Sequence, residues 1–272
     1  MEVFSPELTK KQYQRISRVV YNLSGISLGE GKLPLVKSRL LKRLRALGLD
    51  SYREYLDYLE NNDNGQELSY MIDLLTTNKT SFFREIAHFE YLRKKVLPEM
   101  NKQRLRIWSA GCSSGEEPFS IAILLAEEIE EIYRKDIKIL ATDLSRRMLA
   151  VAKHGIYSRG TLAEVPKEIL SKYFEPTDNG TNGTYRLKEE IRSLVKIAYL
   201  NLLNSWPMKG PFQIIFCRNV MIYFDRKTQE RLVNRFYDYL APGGYLFVGH
   251  SESLSGISHR FNYKQPAVYR KE

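Results

Sequence analysis

The chain has little cysteine, no long apolar run and no apolar leader. Cys112 and Cys217 are the only cysteines among 272 residues, and two unclustered cysteines argue against a disulfide framework or a metal site. The opening MEVFSPELTKKQY lacks the apolar segment of a signal peptide, and no run approaches the roughly 18 apolar residues of a membrane span. These absences predict a cytoplasmic protein that does not insert into membranes.

Acidic residues are also in the minority. The chain has 42 Lys and Arg against 32 Asp and Glu, a net charge of +10, and only 4 His. This charge predicts an acidic partner, which could be nucleic acid, a membrane surface or an acidic protein, and charge alone does not choose among them. A hydrophobic content of 43% suffices for one large domain or two modest ones.

Residues 104–123, RLRIWSAGCSSGEEPFSIAI, carry the strongest local signal. A short apolar run predicts a buried strand, the glycine-containing turn 111–115 follows, and an apolar-periodic helix begins at Glu116. Glu116 and Glu117 at the exit of the turn would repel pyrophosphate and favour a cation. S-adenosylmethionine fits this better than a phosphate ligand, since it carries a sulfonium and an ammonium group. The alternative is a strand, loop and helix with no ligand.

Two further strands end in polar residues. Residues 137–142 predict a second parallel strand that ends at Asp143, where an acidic side chain can bond ribose hydroxyls; the alternative is an N-cap of the helix that follows. Residues 212–217 predict another strand, ending at Arg218 and Asn219, with Tyr223 close behind. Ligands lie outside the carboxyl ends of parallel strands, so these residues belong where the chemistry would occur.

The first 100 residues are predicted to be helical. One of these helices, Lys37 to Arg45, carries five basic residues, and no acidic residue lies between Lys32 and Gly48. It is either a solvated face or a docking surface for an acidic partner, and the lack of a compensating Glu within the helix favours docking.

A polar segment around residues 76–81 runs directly into Phe82, Phe83 and Arg84. This composition suits a loop that closes over a ligand. The alternative is a helix N-cap at Asn78 or Thr80 with the two phenylalanines in the core. An arginine among aromatic residues usually has an anionic partner.

Residues 155–200 interrupt the alternation of strands and helices. Asn-Gly pairs at 179–180 and 182–183 predict turns, and residues 185–187 and 195–199 predict short strands. We expect a small antiparallel insertion at about 172–200. The last segment, 263–270, predicts a single edge strand.

Five segments in this order, TTNKTSFFRE, WSAGCSSGEEPFSIA, ATDLS, NLL and CRNVMIYFD, resemble the CheR family of chemotaxis receptor methyltransferases. The resemblance covers nearly the whole chain. It implies an α/β, Rossmann-like, S-adenosylmethionine-dependent methyltransferase domain at 101–272, with an all-helical N-terminal domain at 1–75 and a linker that caps the cofactor at 76–100. It also implies methylation of receptor glutamates to methyl esters, with S-adenosylhomocysteine as product and no metal.

Matched motif by motif, the resemblance assigns cofactor contacts to nine residues: Asn78, Thr80, Arg84, Glu117, Asp143, Asn201, Leu202, Arg218 and Asn219. It places Arg84 and Tyr223 nearest the methyl transfer. Methyl-accepting chemotaxis proteins would dock through the basic helix Lys37–Arg45. Some family members bind a receptor C-terminal peptide through the β insertion, which the roomy, glycine-rich tip at 178–184 permits here.

Two other functions fit parts of the pattern. A nucleic-acid methyltransferase would suit the charge, but the Asn/Asp-Pro-Pro-aromatic motif of amine methylation is replaced by Arg218-Asn219-Val220-Met221. A non-catalytic signalling scaffold of the same fold would not need the polar cofactor set, which looks complete. We therefore expect no nucleic-acid binding. The absence of an obvious oligomerisation stripe predicts a monomer.

Overall fold

The computed structural model of the chain describes residues 6–61, 65–177 and 183–272. The chain forms two compact units, the first made of Met1–Thr77 with Tyr223–Asp225 and the second of Asn78–Ile222 with Arg226–Glu272. The units thus divide at residue 77, close to the predicted end of the helical region. No helix within the described ranges is both long and apolar enough to cross a membrane.

The first unit is helical, as predicted. Its α-helices are α1 (Lys10–Ser24), α2 (Leu33–Leu47), α3 (Tyr52–Asn61) and α4 (Gln66–Leu75). Thr9 caps α1 by a capping box with Gln12, which satisfies two orphan N–H groups; the other predicted cap, Ser5, lies outside the described residues. Apolar residues at helical spacing form the core, including Tyr13, Ile16, Val36, Leu40, Leu44, Tyr55 and Met71.

The basic helix is α2, and two of its arginines are used inside the unit. Arg39 donates to the carbonyl oxygens of Leu74 and Thr76 at 3.0 and 2.8 Å. Arg43 pairs with Glu67 of α4 at 2.5 Å. The compensating acid that is missing from the helix itself therefore comes from a neighbouring helix. Of the five basic residues of α2, Lys42 and Arg45 are exposed.

The second unit is built on a sheet of seven described strands. They are β1 (Arg104–Ala110), β2 (Asp136–Asp143), β6 (Val195–Tyr199), β7 (Phe212–Cys217), β8 (Leu240–Val248), β9 (Asn262–Gln265) and β10 (Val268–Arg270). Their order in the sheet is β6-β2-β1-β7-β8-β10-β9. The pairs from β6 to β8 are parallel, and the pairs of β10 with β8 and β9 are antiparallel. This confirms the Rossmann-like α/β class and the predicted strands at 105–110, 137–142 and 212–217.

The α-helices of this unit are α5 (Ile86–Tyr91), α6 (Glu116–Glu128), α7 (Arg146–His154), α8 (Lys167–Tyr173), α9 (Glu189–Arg192) and α10 (Arg226–Tyr239). Helix α6 is apolar almost all round and buries Phe119, Ile121 and Leu125. In the core Phe216 stacks on Phe247, with ring centroids 4.4 Å apart. Dense apolar packing on both faces is typical of a parallel sheet.

The small antiparallel sheet exists, but its predicted composition is partly wrong. Its described strands are β3 (Ile156–Ser158), β4 (Phe174–Pro176) and β5 (Thr184–Leu187), in the order β3-β5-β4. Residues 195–199 instead form the edge strand β6, parallel to β2, because Val195 and Ile197 pack on the main core. The predicted turn at 179–180 and most of the tip at 178–184 lie outside the described residues.

The C-terminal prediction of one edge strand is also wrong. Residues 262–270 form the hairpin β9–β10, in which β10 lies between β8 and β9. Ala267, with φ of 64°, supplies the left-handed turn residue, so the chain reverses within the segment expected to be one continuous strand.

Candidate active site

Four adjacent parallel strands of the second unit deliver most of the predicted site residues to one edge. In sheet order these are β6, β2, β1 and β7. Asn201 and Leu202 come after β6, Asp143 is the last residue of β2, the turn 111–115 and then Glu117 come after β1, and Arg218 and Asn219 come after β7. Since parallel strands end on the same side, the sequence-distant motifs meet there.

The glycine turn is fixed against the end of β2. The amides of Gly111 and Cys112 both donate to the carbonyl oxygen of Thr142, at 2.8 and 2.9 Å. Gly111 has φ of 89°, and a Cβ there would lie 2.3 Å from Cγ2 of Val220. Only glycine fits this position, on grounds of both backbone conformation and space.

Asp143 joins the turn to the next helix. Its Oδ2 accepts from the amide of Ser113 at 2.8 Å, and its Oδ1 accepts from the amide of Ser145 at 2.8 Å. The N-cap of α7 is Ser145, whose Oγ accepts from the amide of Met148, so the interpretation of Asp143 as the cap is wrong. The ribose role of Asp143 stays a prediction.

Asn201 and Leu202 follow β6 after one residue, Leu200. The amide of Leu200 donates to the carbonyl oxygen of Asp143 at 3.0 Å, which brings this loop to the end of β2. The side chain of Asn201 accepts from the amide of Leu203 at 3.0 Å. Both predicted residues are buried, and they follow the residue that bonds to Asp143; their cofactor role stays a prediction.

Arg218 is the centre of a buried ion cluster. Its side chain is 1% exposed; Nη1 donates to Glu117 at 3.1 Å and Nη2 to Glu85 at 3.1 Å. Nη2 also donates to the backbone carbonyl oxygen of Arg84. Glu117 accepts a second bond, from the hydroxyl of Ser109 at 2.7 Å. One guanidinium therefore joins β7 to α6 and to the segment before α5.

The two carboxyls of this cluster differ electrostatically. Burial raises the pKa of Glu117, and Arg218 and Ser109 only partly oppose it. For Glu85, burial is the largest effect and works upward, but Arg218 and two nearby histidines bring its pKa below the ordinary value. The cluster thus holds two carboxyls against one guanidinium, which leaves Glu117 suited to another positive group.

The segment 78–85 packs against this cluster. The hydroxyl of Ser113 donates to the carbonyl oxygen of Asn78 at 3.0 Å. The predicted N-cap at Asn78 or Thr80 is wrong: α5 begins after Glu85, which has φ of 57° and makes no side-chain cap. Phe82 is in the core, 5.0 Å between ring centroids from Tyr157, as that alternative expected.

Arg84 and Tyr223, the residues assigned to the methyl transfer, lie in different units. Arg84 is half-buried, and its Nη1 donates to the carbonyl oxygen of Lys79 at 3.0 Å. Tyr223 belongs to the helical unit, where its hydroxyl donates to the carbonyl oxygen of Thr77 at 3.3 Å. Thr80, in the second unit, is half-buried.

Among the described residues, one cluster has the spacing of metal ligands: Glu85, His88 and His250. Their donor atoms lie within 4.8 Å of one another. His88 is fully buried, and burial, followed by the charge of Arg218, lowers its pKa to about 3. However, the Glu85 oxygen nearest His88 already accepts from Arg218. A cation there would face a guanidinium, so Glu85 is better explained by its ion pair with Arg218. Both ring nitrogens of His88 are buried and accept or donate no hydrogen bond within the part of the chain that the structure describes.

Sequence reasoning missed two carboxylates, Glu85 and Glu252. Glu85 lies within the quoted TTNKTSFFRE segment, next to Arg84, and that position was its only signal. Glu252 lies in the polar loop after β8 and accepts from three backbone amides. Nothing in local periodicity reveals a carboxyl whose partners are backbone groups from other segments.

The donor and acceptor set fits S-adenosylmethionine. Its ammonium and sulfonium require anionic surroundings, and Glu117 supplies a carboxyl that one guanidinium does not fully compensate. Its ribose requires an acceptor at the end of the second parallel strand, where Asp143 lies. The backbone approaches closely at Gly111. The fold and site define the class as an S-adenosylmethionine-dependent methyltransferase.

Comparison with known proteins names the family. The family model described as "CheR methyltransferase, SAM binding domain" matches residues 78–269, and the model described as "CheR methyltransferase, all-alpha domain" matches residues 11–76. The chain belongs to the CheR methyltransferase family.

Named relatives agree over nearly the full length. The chain is 40% identical to the chemotaxis protein methyltransferase of Borreliella burgdorferi, over 97% of this chain and 95% of the relative. It is 40% identical to that of Escherichia coli, over 96% and 91%. Among solved structures, a glycopeptide N-methyltransferase complexed with sinefungin covers 62% of this chain and 50% of its own, with 14% identity and a TM-score of 0.38, which is too weak to carry an argument.

Proposed function

We propose that the chain transfers the methyl group of S-adenosylmethionine to glutamate side chains of methyl-accepting chemotaxis proteins, giving glutamate methyl esters and S-adenosylhomocysteine. The observation that carries the proposal is the match of both CheR domains, in order, to 11–76 and 78–269. The names of the relatives support a chemotaxis substrate.

The chemistry asks for positioning more than for proton transfer. A receptor glutamate has an ordinary pKa near 4.3, so it is already a carboxylate at pH 7 and needs no general base. S-adenosylmethionine supplies a methyl group on a positively charged sulfur. Alignment of the carboxylate oxygen with the methyl carbon and the sulfur is worth about 7–11 kcal/mol where it is good.

We assign Arg84 the task of orienting the incoming carboxylate. The guanidinium of Arg84 has five N–H groups, and Nη1 donates one hydrogen bond to the carbonyl oxygen of Lys79. The side chain can still present two parallel N–H groups to a carboxylate. Tyr223 would hold the acceptor or form a wall beside the methyl group. The other assigned residues, Asn78, Thr80, Glu117, Asp143, Asn201, Leu202, Arg218 and Asn219, would hold the cofactor.

We assign receptor docking to the basic helix, residues 37–45. Lys42 and Arg45 are exposed on this helix and would meet the partner. The family resemblance implies receptor partners whose methylation regions are helical and rich in Glu and Gln, and such regions would complement the basic face. Salt should weaken methylation steeply, since exposed charges are screened beyond about 8–10 Å.

We assign the small sheet a second contact, with a receptor C-terminal peptide. β5 is its central strand, so β3 and β4 are its described edges, and an extended peptide can add to such an edge through main-chain hydrogen bonds. We further propose that the protein acts as a monomer in the cytoplasm and binds no nucleic acid.

The test is transfer of a labelled methyl group from S-adenosylmethionine to a chemoreceptor cytoplasmic fragment, followed by mild base. Base-labile label on the receptor identifies a carboxyl methyl ester. Base-stable label, or label on added RNA or DNA and not on the receptor, would contradict the proposal. Cofactor binding by calorimetry with no transfer to any receptor fragment would favour the scaffold.

A further inference from the structure

A carboxylate outside the assigned site clamps the loop that carries Arg218 and Asn219. Glu252 lies just beyond β8 and is 7% exposed. Its Oε2 accepts from the amides of Gly249 at 2.6 Å and Asn219 at 2.8 Å, and its Oε1 accepts from the amide of Ile222 at 3.1 Å. The loops that follow β7 and β8 are thereby joined through one side chain.

The clamp acts at a demanding point of the backbone. Asn219 has φ of 57°, in the left-handed region, which costs a residue with a Cβ unless its surroundings hold it there. The residue before it is Arg218, whose guanidinium must reach both Glu117 and Glu85. The side-chain amide of Asn219 also points to Glu85, at 3.4 Å. The direction of both side chains therefore depends on this backbone conformation.

The close packing around Gly249 is a second observation that supports the clamp. A Cβ at Gly249 would lie 2.6 Å from Nδ2 of Asn219, 2.9 Å from its backbone nitrogen and 2.9 Å from Oε2 of Glu252. A methyl group there would occupy the space through which the carboxylate reaches Asn219. The glycine is thus required by close approach at the clamp itself.

We propose that Glu252 is a positioning residue for cofactor binding, which sets Arg218 and Asn219 through the three backbone amides and does not touch the cofactor. The inference rests on the proposed cofactor roles of Arg218 and Asn219. A carboxylate suits the task better than an amide, because both of its oxygens accept. In a glutamine, the NH₂ group would face at least one backbone N–H, leaving a buried donor unpaired.

The experiment is calorimetric titration of the full chain with S-adenosylhomocysteine, together with steady-state methylation kinetics. We expect Glu252→Gln to weaken cofactor binding about tenfold or more and to raise the cofactor KM alike, while kcat at saturating cofactor and the receptor KM stay within about twofold. A purely structural role would lower the melting temperature without this split between KM and kcat.

Two variants complete the design. Glu99→Gln is the control for the same substitution in the same unit: Glu99 is exposed, accepts from Tyr245 at 3.1 Å and pairs with Arg270, so its replacement should leave cofactor affinity unchanged. Gly249→Ala should reproduce the effect of Glu252→Gln. The double variant should be little worse than either single one, because both break the same clamp.

Each possible result of these experiments either supports or overturns a stated proposal. A folded Glu252→Gln protein with wild-type cofactor affinity overturns the inference, as does full additivity in the double variant. If Glu252→Gln does not fold, a folded Gly249→Ala protein with wild-type affinity overturns it equally. A wild-type chain that binds no S-adenosylhomocysteine overturns the proposed function itself, and that result is visible before any variant is measured.

Discussion

Arg218 and Arg43 each lie in a buried or half-buried ion pair with glutamate, yet they do different work. Arg43 meets a single carboxylate, Glu67, through Nε at 2.9 Å and Nη2 at 2.5 Å, and its guanidinium covers the ring of Tyr70 at 4.2 Å. Arg218 meets two carboxyls and a backbone carbonyl oxygen. In the Arg43 pair, one guanidinium is matched by one carboxyl. In the Arg218 cluster, one guanidinium faces two carboxyls.

This difference supports the proposal that the Arg218 cluster, and not the Arg43 cluster, meets a positively charged ligand. Glu67 is also bonded to the hydroxyl of Tyr55 at 2.8 Å, so the Arg43 cluster needs no further cation. In the Arg218 cluster, Glu117 keeps a raised pKa in spite of its arginine. An arginine and a glutamate in contact are therefore weak evidence of function, and the count of opposite charges is more informative.

The largest expected effect separates the two arginines. Arg218→Lys replaces a fork by a single ammonium that cannot hold Glu117, Glu85 and a backbone carbonyl together. We expect about 3 kcal/mol lower stability, as for breaking buried pairs, and about 100-fold weaker cofactor binding, which is about 2.7 kcal/mol. Arg43→Lys should cost about 1 kcal/mol and leave cofactor affinity unchanged.

Urea unfolding and calorimetry with S-adenosylhomocysteine measure both quantities. Equal losses of cofactor affinity in Arg218→Lys and Arg43→Lys would erase the distinction between the two clusters.

The next effect concerns Arg84, an arginine that forms no carboxylate pair among the described salt bridges. Arg84→Ala should lower turnover about tenfold or more, because the incoming carboxylate loses its orienting fork. The cofactor dissociation constant should rise by a smaller factor. Single-turnover methylation and calorimetry compare the two, and turnover at the wild-type level would remove Arg84 from the proposed mechanism.

A smaller effect tests the burial of His88, which lies beside Glu85. Burial, then Arg218, lowers the pKa of His88 to about 3. Between about 6.5, the ordinary value, and 3, the unfolded chain binds a proton that the folded chain does not. The His88 contribution to stability is therefore lost as pH falls through this window, by up to about 1.4 kcal/mol per pH unit.

His88→Leu should make the dependence of unfolding free energy on pH shallower by that amount, measured as urea midpoints from pH 6.5 to 4.5. The raised pKa values of Glu116, Glu117 and Glu252 act with the opposite sign, but they are present in both proteins. An unchanged slope in His88→Leu would show that the pKa of His88 is not lowered in the folded state.

The smallest effect lies on the same helix as Arg43. Lys42→Glu reverses an exposed charge of α2 and should raise the receptor KM about threefold to tenfold at low salt, an effect that high salt removes. Lys11→Glu makes the same charge change on the exposed surface of α1 and is the control. If both variants behave alike, net charge and not the basic helix drives docking.

The sequence predicted well what periodicity and spacing encode. The strand–turn–helix at 104–123, the strand ending at Asp143 and the strand ending at Arg218 are confirmed because apolar runs bounded by glycine or polar residues are local signals. The helical character of the first unit is confirmed for the same reason.

What the sequence did not predict depends on tertiary partners. Val195 and Ile197 alternate equally well in a small insertion or at the edge of the main sheet, and only packing on the core decides. Glu67 compensates Arg43 from a different helix, which spacing within one helix cannot show. Glu252 binds backbone amides of a loop 30 to 33 residues away, and such partners leave no trace in residue type.

The long sequence separations within the Arg218 cluster also have a kinetic consequence. Arg218 bonds to Glu117 and Glu85 across 101 and 133 residues, so the cluster cannot form on a growing chain until β7 has been synthesised. Contacts of such high contact order form late in folding. S-adenosylmethionine should consequently bind only the completed unit, so that cellular cofactor selects fully folded molecules and stabilises them by mass action.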